Sequence, residues 1–213
     1  ALGLRDPGGE ARHGAEHSVW PVLRRPEVAV LLGACFLMSV AHGPLYTFFS
    51  IYLADHGYSN SAIGWLWTVG VIAEIGVFLM APRIFARWSN RQVLVFSFAC
   101  AVVRFILIGW GVDSPALLVA AQVLHAATFS SYHAAALGMV NRWFLGGQRS
   151  RGQALYMSVS FGAGGMLGGM AAGVAWEAIG PAWTFSAASA CAAAGLVLAA
   201  WRTGQAPRSA GVE

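Results

Sequence analysis

The feature that most limits how this chain can fold is a repeated one: six apolar runs separated by short polar breaks. Crossing a hydrocarbon core of ~30 Å takes about 20 apolar residues in a helix. The runs cover roughly residues 28–53, 62–82, 92–110, 115–140, 153–176 and 182–201. The breaks carry helix-stopping residues: Asp55 to Ser61, Pro82 to Arg91, Gly111 to Pro115, Asn141 to Gly152 and Gly180-Pro181. With 57% hydrophobic and only 10% charged residues, the chain has too little charge to cover a water-soluble surface. The surplus must face lipid. The expected fold is all-α and integral to the bilayer, with residues 28–203 forming a bundle of six transmembrane helices.

Arginine placement gives the orientation. Arg5, Arg12, Arg24 and Arg25 precede the first run, Arg83, Arg87 and Arg91 fill the second break, and Arg142, Arg149 and Arg151 fill the fourth. Arg202 and Arg208 follow the last run, whereas the first, third and fifth breaks hold only Asp55, Asp113 and Glu177. Under the positive-inside rule both termini face the cytoplasm. Residues 1–27 then read as a cytoplasmic linker or tail, with no apolar stretch of the secretory-signal kind, and residues 204–213 as a cytoplasmic C-terminal tail. Seven tryptophans at run ends (Trp20, Trp88, Trp110, Trp143, Trp176, Trp183 and Trp201), with Trp65 and Trp67 in an outer first turn, match interfacial aromatic belts. The pI of about 9.4 does not signal nucleic acid, because the arginines punctuate apolar runs instead of forming one patch. Cys35, Cys100 and Cys191 each lie within an apolar run and supply neither a disulfide framework nor metal-ligand spacing. No metal or other cofactor is called for.

The informative residues are the polar ones at membrane depth. Glu74 and Arg104 each lie ~18 Å along their helices, and His125 lies ~15 Å along the fourth, at 1.5 Å per residue. An ionised group at midplane costs on the order of 2.5–3.5 kcal/mol, so it faces a partner or a wet cavity and marks an ion or substrate path. The plainer alternative is a structural Glu74–Arg104 ion pair, with His125 hydrogen-bonded across a helix interface. A carboxylate, a guanidinium and an imidazole at one depth provide the parts that proton coupling needs. The fourth run is the most polar, and an α-helical projection sets His125, Thr128 or Phe129, and Tyr132 on one face, with Gln122 nearby. His133 is turned away and reads as a packing or interfacial histidine. In the first run, His42-Gly43-Pro44 followed by Tyr46 and Thr47 reads as a kink or as a cavity-lining hinge. In the fifth, Gly164/Gly168 and Gly165/Gly169 are each four apart, the small-residue spacing of close helix packing.

Three stretches, HGPLYTFFSIYLADHGYSNSAIGWLWTVGVIAEI, PRIFARWSNRQVLVFSFACAVVRF and QVLHAATFSSYHAA, resemble the C-terminal half of a Major Facilitator Superfamily transporter. The resemblance covers residues 24–203 and points to the branch of the phenylpropionate permeases and, more distantly, the lactose permease-like proton symporters. The basic loop Arg83 to Arg91 looks like a degenerate copy of that superfamily's loop motif, without its usual Gly and Asp. The resemblance implies one half of a twelve-helix carrier in the bacterial inner membrane, an N-terminal six-helix half lying outside this chain, and a substrate site at midplane. It implies that Glu74, Arg104 and His125 serve proton translocation and substrate contact, with Arg104 a partner for a substrate carboxylate. Where the sugar carriers place a carboxylate one turn after the histidine, this chain has Thr128. The expected function is proton-coupled symport of a small organic acid such as 3-phenylpropionate, with no enzymatic chemistry. The alternatives are a sugar or nucleoside proton symporter, a self-contained six-helix carrier that dimerises, and a six-helix haem protein using His42, His125 or His133. A membrane-embedded hydrolase has no supporting motif, since no G-x-S-x-G or H-E-x-x-H is present.

Overall fold

Each apolar run becomes a helix because lipid offers the backbone no hydrogen bonds, and a helix satisfies them internally. The computed structural model describes residues 19–202. Most of the expected linker (residues 1–18, with Arg5 and Arg12) and the tail from 203 onward, with Arg208, lie outside the described residues. A short turn, Trp20–Leu23, leads into α1 (Pro26–Asp55), followed by α2 (Asn60–Arg87) and α3 (Asn90–Trp110). The fourth helix, α4, runs through Pro115–Ala126, a π-helical segment Ala127–Ser131, and Tyr132–Trp143. The fifth, α5, runs through Arg149–Met157, a second π-helical segment Ser158–Gly164, and Gly165–Ile179, and α6 is Pro181–Arg202.

The ends follow from local chemistry. Pro26, Pro115 and Pro181 are first residues of their helices, where a missing N–H leaves no bond unmade. Ser59 caps α2 by accepting from the Ala62 amide, and Ser89 and Gln92 form a reciprocal capping box on α3. Gly180, at φ 80°, stops α5 in a backbone region that favours glycine. The second helix was expected to end at Pro82 but continues to Arg87. A proline removes one backbone bond and bends a membrane helix without ending it.

Five of the six helices are long and apolar enough to cross a membrane. By that measure α4 falls short, since Gln122, His125, Thr128, Ser130, Ser131, Tyr132 and His133 dilute its apolar content. In the bundle α1 packs on α5 and α6, α3 on α6 and α4, and α2 on α4. Within the apolar stretches, 61% of α1 and 56% of α3 are buried, against 17% of α2 and 22% of α5. So α1 and α3 form the centre, and α2 and α5 turn broad apolar faces outward.

The α1–α5 crossing is made of backbone. A Cβ on Gly43 would lie 2.2 Å from the Gly168 carbonyl carbon, and one on Gly168 would lie 2.7 Å from the Val40 Cα. Pro44 adds to this, because its missing N–H frees the carbonyl four residues back, that of Val40. That oxygen faces Gly168, 2.7 Å from where a Cβ would sit. Gly164 packs one turn away against Phe36 and Ser39. Gly165 and Gly169 do not share this role: a Cβ on Gly165 would meet nothing within 4 Å, and one on Gly169 would only touch the Thr47 hydroxyl at 3.6 Å. Successive helix residues point about 100° apart, so only one of the two glycine pairs can face α1.

Candidate functional site

Among the described residues Arg104 is the largest side chain with no exposed surface, and the acceptors that hold it are neutral. Its Nε donates to the Ala121 carbonyl at 2.9 Å, and Nη2 donates to Gln122 Oε1 at 3.3 Å. Its Nη1 donates to Thr128 Oγ1 at 3.1 Å and meets His42 Nε2 at 3.4 Å. His42 Nδ1 lies 2.8 Å from the Met38 carbonyl, so the proton sits on Nδ1 and leaves Nε2 free to accept from Arg104. One guanidinium thereby joins α3 to both α1 and α4. Among the described residues no carboxylate bonds it.

Glu74 and Arg104 do not form the ion pair weighed from sequence. Glu74 instead meets His125, with Oε1 2.8 Å from Nε2 and both side chains largely buried. The cause is rotational: α2 packs on α4, and Gly70, one turn before Glu74, faces the His125 ring, which lies at ordinary contact distance, 3.4 Å, from where a Cβ would stand. The close approach brings the carboxylate onto the imidazole. Such a pair exchanges one proton along a single hydrogen bond: ionised Glu74 accepts from His125 N–H, or protonated Glu74 donates to it. His125 Nδ1 and Gln122 Nε2 are buried without a hydrogen-bond partner among the described residues. Two orphaned polar atoms beside a buried cation mark a place that water, protons or a ligand can complete.

A cavity of about 170 Å³ opens beside this cluster, between α1, α4 and α5. From α1 it is lined by Met38, Ser39, His42, Gly43, Tyr46 and Thr47, and from α4 by Thr128, Phe129 and Tyr132. Phe161, Gly165 and Gly169 of α5 complete it. Tyr46 stacks between His42 and Trp67, at ring centroids of 5.9 and 6.4 Å. His42 and Thr128 touch both the cavity and Arg104, so they are the layer between guanidinium and open space.

Two departures from the sequence reading come from the π-helical segment in α4. His125 and Tyr132 were expected on one face, but a π-turn takes up an extra residue between them. His125 therefore turns to Glu74, while the Tyr132 hydroxyl reaches the Cys35 carbonyl of α1 at 3.3 Å and lines the cavity. Thr128 and Phe129 also serve different neighbours, Arg104 for one and the His125 ring for the other. His133 lies outside the cluster and meets the Tyr156 hydroxyl at 3.1 Å. Sequence reading missed Phe129 as a distinct cavity residue, Phe161 altogether, and Gly70. Only Gly70 had a legible signal, its spacing of four residues from Glu74.

The chain matches the model of the MFS_1 like family over residues 4–187. It belongs to that family. It is 38% identical over 145 residues to the probable 3-phenylpropionic acid transporter of Escherichia coli (strain K12), a match covering 68% of this chain and 38% of that protein. It is 27% identical over 150 residues to an uncharacterised MFS-type transporter of Yersinia enterocolitica, covering 68% of this chain and 37% of the other. Among solved structures, a mutant of the nucleoside transporter NupG superposes with a TM-score of 0.75 at 16% identity, covering 89% of this chain and 54% of that one. That likeness shows the fold. The chain is a multi-pass membrane protein with the architecture of a major facilitator half, and it spans well under half the length of the curated relatives it matches.

Proposed function

We propose that this bundle is the C-terminal half of a proton-coupled secondary transporter for a small organic acid, 3-phenylpropionate being the first candidate. In this reading an N-terminal six-helix half completes the carrier, both termini face the cytoplasm, and the membrane is the bacterial inner membrane. The observation that carries the reading is the midplane cluster: a Glu74–His125 pair at 2.8 Å beside an Arg104 that, among the described residues, bonds only neutral acceptors. The pair is the proton-loading element. A carboxylate substrate entering the cavity supplies the directly bonded anion that Arg104 does not have. His42 and Thr128, which hold the guanidinium now, yield to the anion as the halves rock about the site. Because Thr128 stands where related sugar carriers hold an acid, Glu74 is the proton-bearing carboxylate of this half. The relative named for 3-phenylpropionic acid favours an aromatic acid, whereas the nucleoside carrier resembles this chain at the level of fold and supplies no substrate.

The test is uptake of radiolabelled 3-phenylpropionate by cells producing the full-length carrier, with and without a protonophore. Accumulation that collapses with the protonophore is expected. Accumulation indifferent to the protonophore refutes proton coupling, and uptake no greater than in empty cells refutes the substrate.

A further inference from the structure

The two π-helical segments, Ala127–Ser131 in α4 and Ser158–Gly164 in α5, lie on either side of the cavity, and each turns one phenylalanine toward it. Phe129 and Phe161 meet edge to face, with ring centroids 6.4 Å apart and planes at 81°. Phe129 also stacks on the His125 ring at 5.5 Å and 24°. His125 is in turn bonded to Glu74. On the same wall of α5, Gly165 has no side chain, and the space where its Cβ would stand is open. This aromatic corner has an empty place beside it and is backed by the imidazole of the proposed proton-loading pair, while Phe161 is held from behind by the His133 and Tyr156 rings. A continuous α-helix would not hold both phenylalanines and their polar neighbours in this register, since a π-turn re-aims the side chains around it.

We infer that Phe129 and Phe161 form the subsite for the aromatic ring of the substrate, so that a bound ring extends the pile of Phe129 on His125. This rests on the organic-acid reading above and sharpens it: the preferred acids carry a planar ring. Aromatic pairs in offset or edge-to-face geometry gain stabilisation beyond what area burial gives, and a saturated ring of similar size gains only the area. The subsite therefore separates 3-phenylpropionate from 3-cyclohexylpropionate, two acids that differ in ring electronics and flatness and share chain and charge. The contact also places ring recognition one side chain away from Glu74–His125, so occupancy of the ring site and loading of the proton are adjacent events.

The experiment measures initial uptake rates of both acids by cells producing the full-length carrier, as wild type, Phe129→Leu and Phe161→Leu, with the amount of carrier in the membrane determined for each. The wild type is expected to favour the phenyl acid on the order of fivefold in KM. Each leucine variant is expected to remove most of that preference by raising KM for the phenyl acid and leaving the cyclohexyl acid nearly unchanged. Phe161, partly exposed, supplies the test if Phe129→Leu fails to reach the membrane. Wild type that takes up both acids equally, or variants that slow both in parallel, overturns the ring subsite and leaves organic-acid transport standing. Uptake of neither acid by the wild type overturns both.

Discussion

Where α3 meets α4, Arg104 donates to Ala121, Gln122 and Thr128, and each bond has a direction and a length. Where α1 meets α5, Gly43 and Gly168 touch main chain to main chain, with no side chain between them. The first seam specifies how two helices are rotated about their axes, because a few degrees of turn would break a buried bond. The second specifies how closely they approach. The cavity lies between these two kinds of contact, with Thr128 of α4 and His42 of α1 bonded to Arg104 and α5 packed on α1 through glycine.

The largest expected effect comes from cutting the bonded seam. Arg104→Gln removes the cation and most of its donors from a fully buried position, leaving several acceptors unmet. Uptake should fall by ~100-fold or more, as expected for a loss of ~3 kcal/mol or more on breaking a buried charged network. Membrane insertion, read by the amount of carrier in washed membranes, should persist. Near-normal uptake would show that the bonded seam is only scaffolding.

Gly168→Ala tests the other seam. The added methyl collides with the Val40 backbone and must push α1 and α5 apart, at a cost of ~1–3 kcal/mol for overpacking. A lower thermal midpoint of the purified carrier, with slower turnover, is the expected outcome. An unchanged midpoint would mean the crossing is looser than its geometry indicates. Three residues earlier, Gly165→Ala gives the smallest effect and the opposite sign. Its Cβ meets nothing, so the helix should gain ~0.5–1 kcal/mol from alanine over glycine. If both alanines act alike, the distinction between crossing face and cavity face fails.

Much of the bundle was legible in the sequence because lipid enforces a simple rule: long apolar runs form helices, and arginines mark one end of each. The depth of Glu74, Arg104 and His125 was legible too, since depth follows from counting residues along a helix. Which of them bond to one another was not. Pairing depends on how each helix is rotated, and that is set by contacts such as Gly70 against His125 that involve residues far apart in the chain. The π-segments were illegible for a different reason. Ala127–Ser131 and Ser158–Gly164 share no composition that sets them apart from α-helix, so the α-helical projection gave His125 and Tyr132 a common face that they do not have. The glycine spacing in α5 was readable as a packing device, yet it could not say which of two registers faced the neighbour.

Pro44 has a mechanical consequence. A helix normally resists bending because flexing stretches its ladder of hydrogen bonds, and in α1 the rung from residue 44 to Val40 is already missing. Flexing there stretches no rung at that point, and Gly168 is the residue packed against the freed carbonyl. The side chains beyond the joint, Tyr46 and Thr47, and those before it, Met38 and Ser39, belong to the same cavity wall. A change in the angle of α1 at this joint would therefore change the cavity's volume directly, because the joint stands in the cavity's own wall.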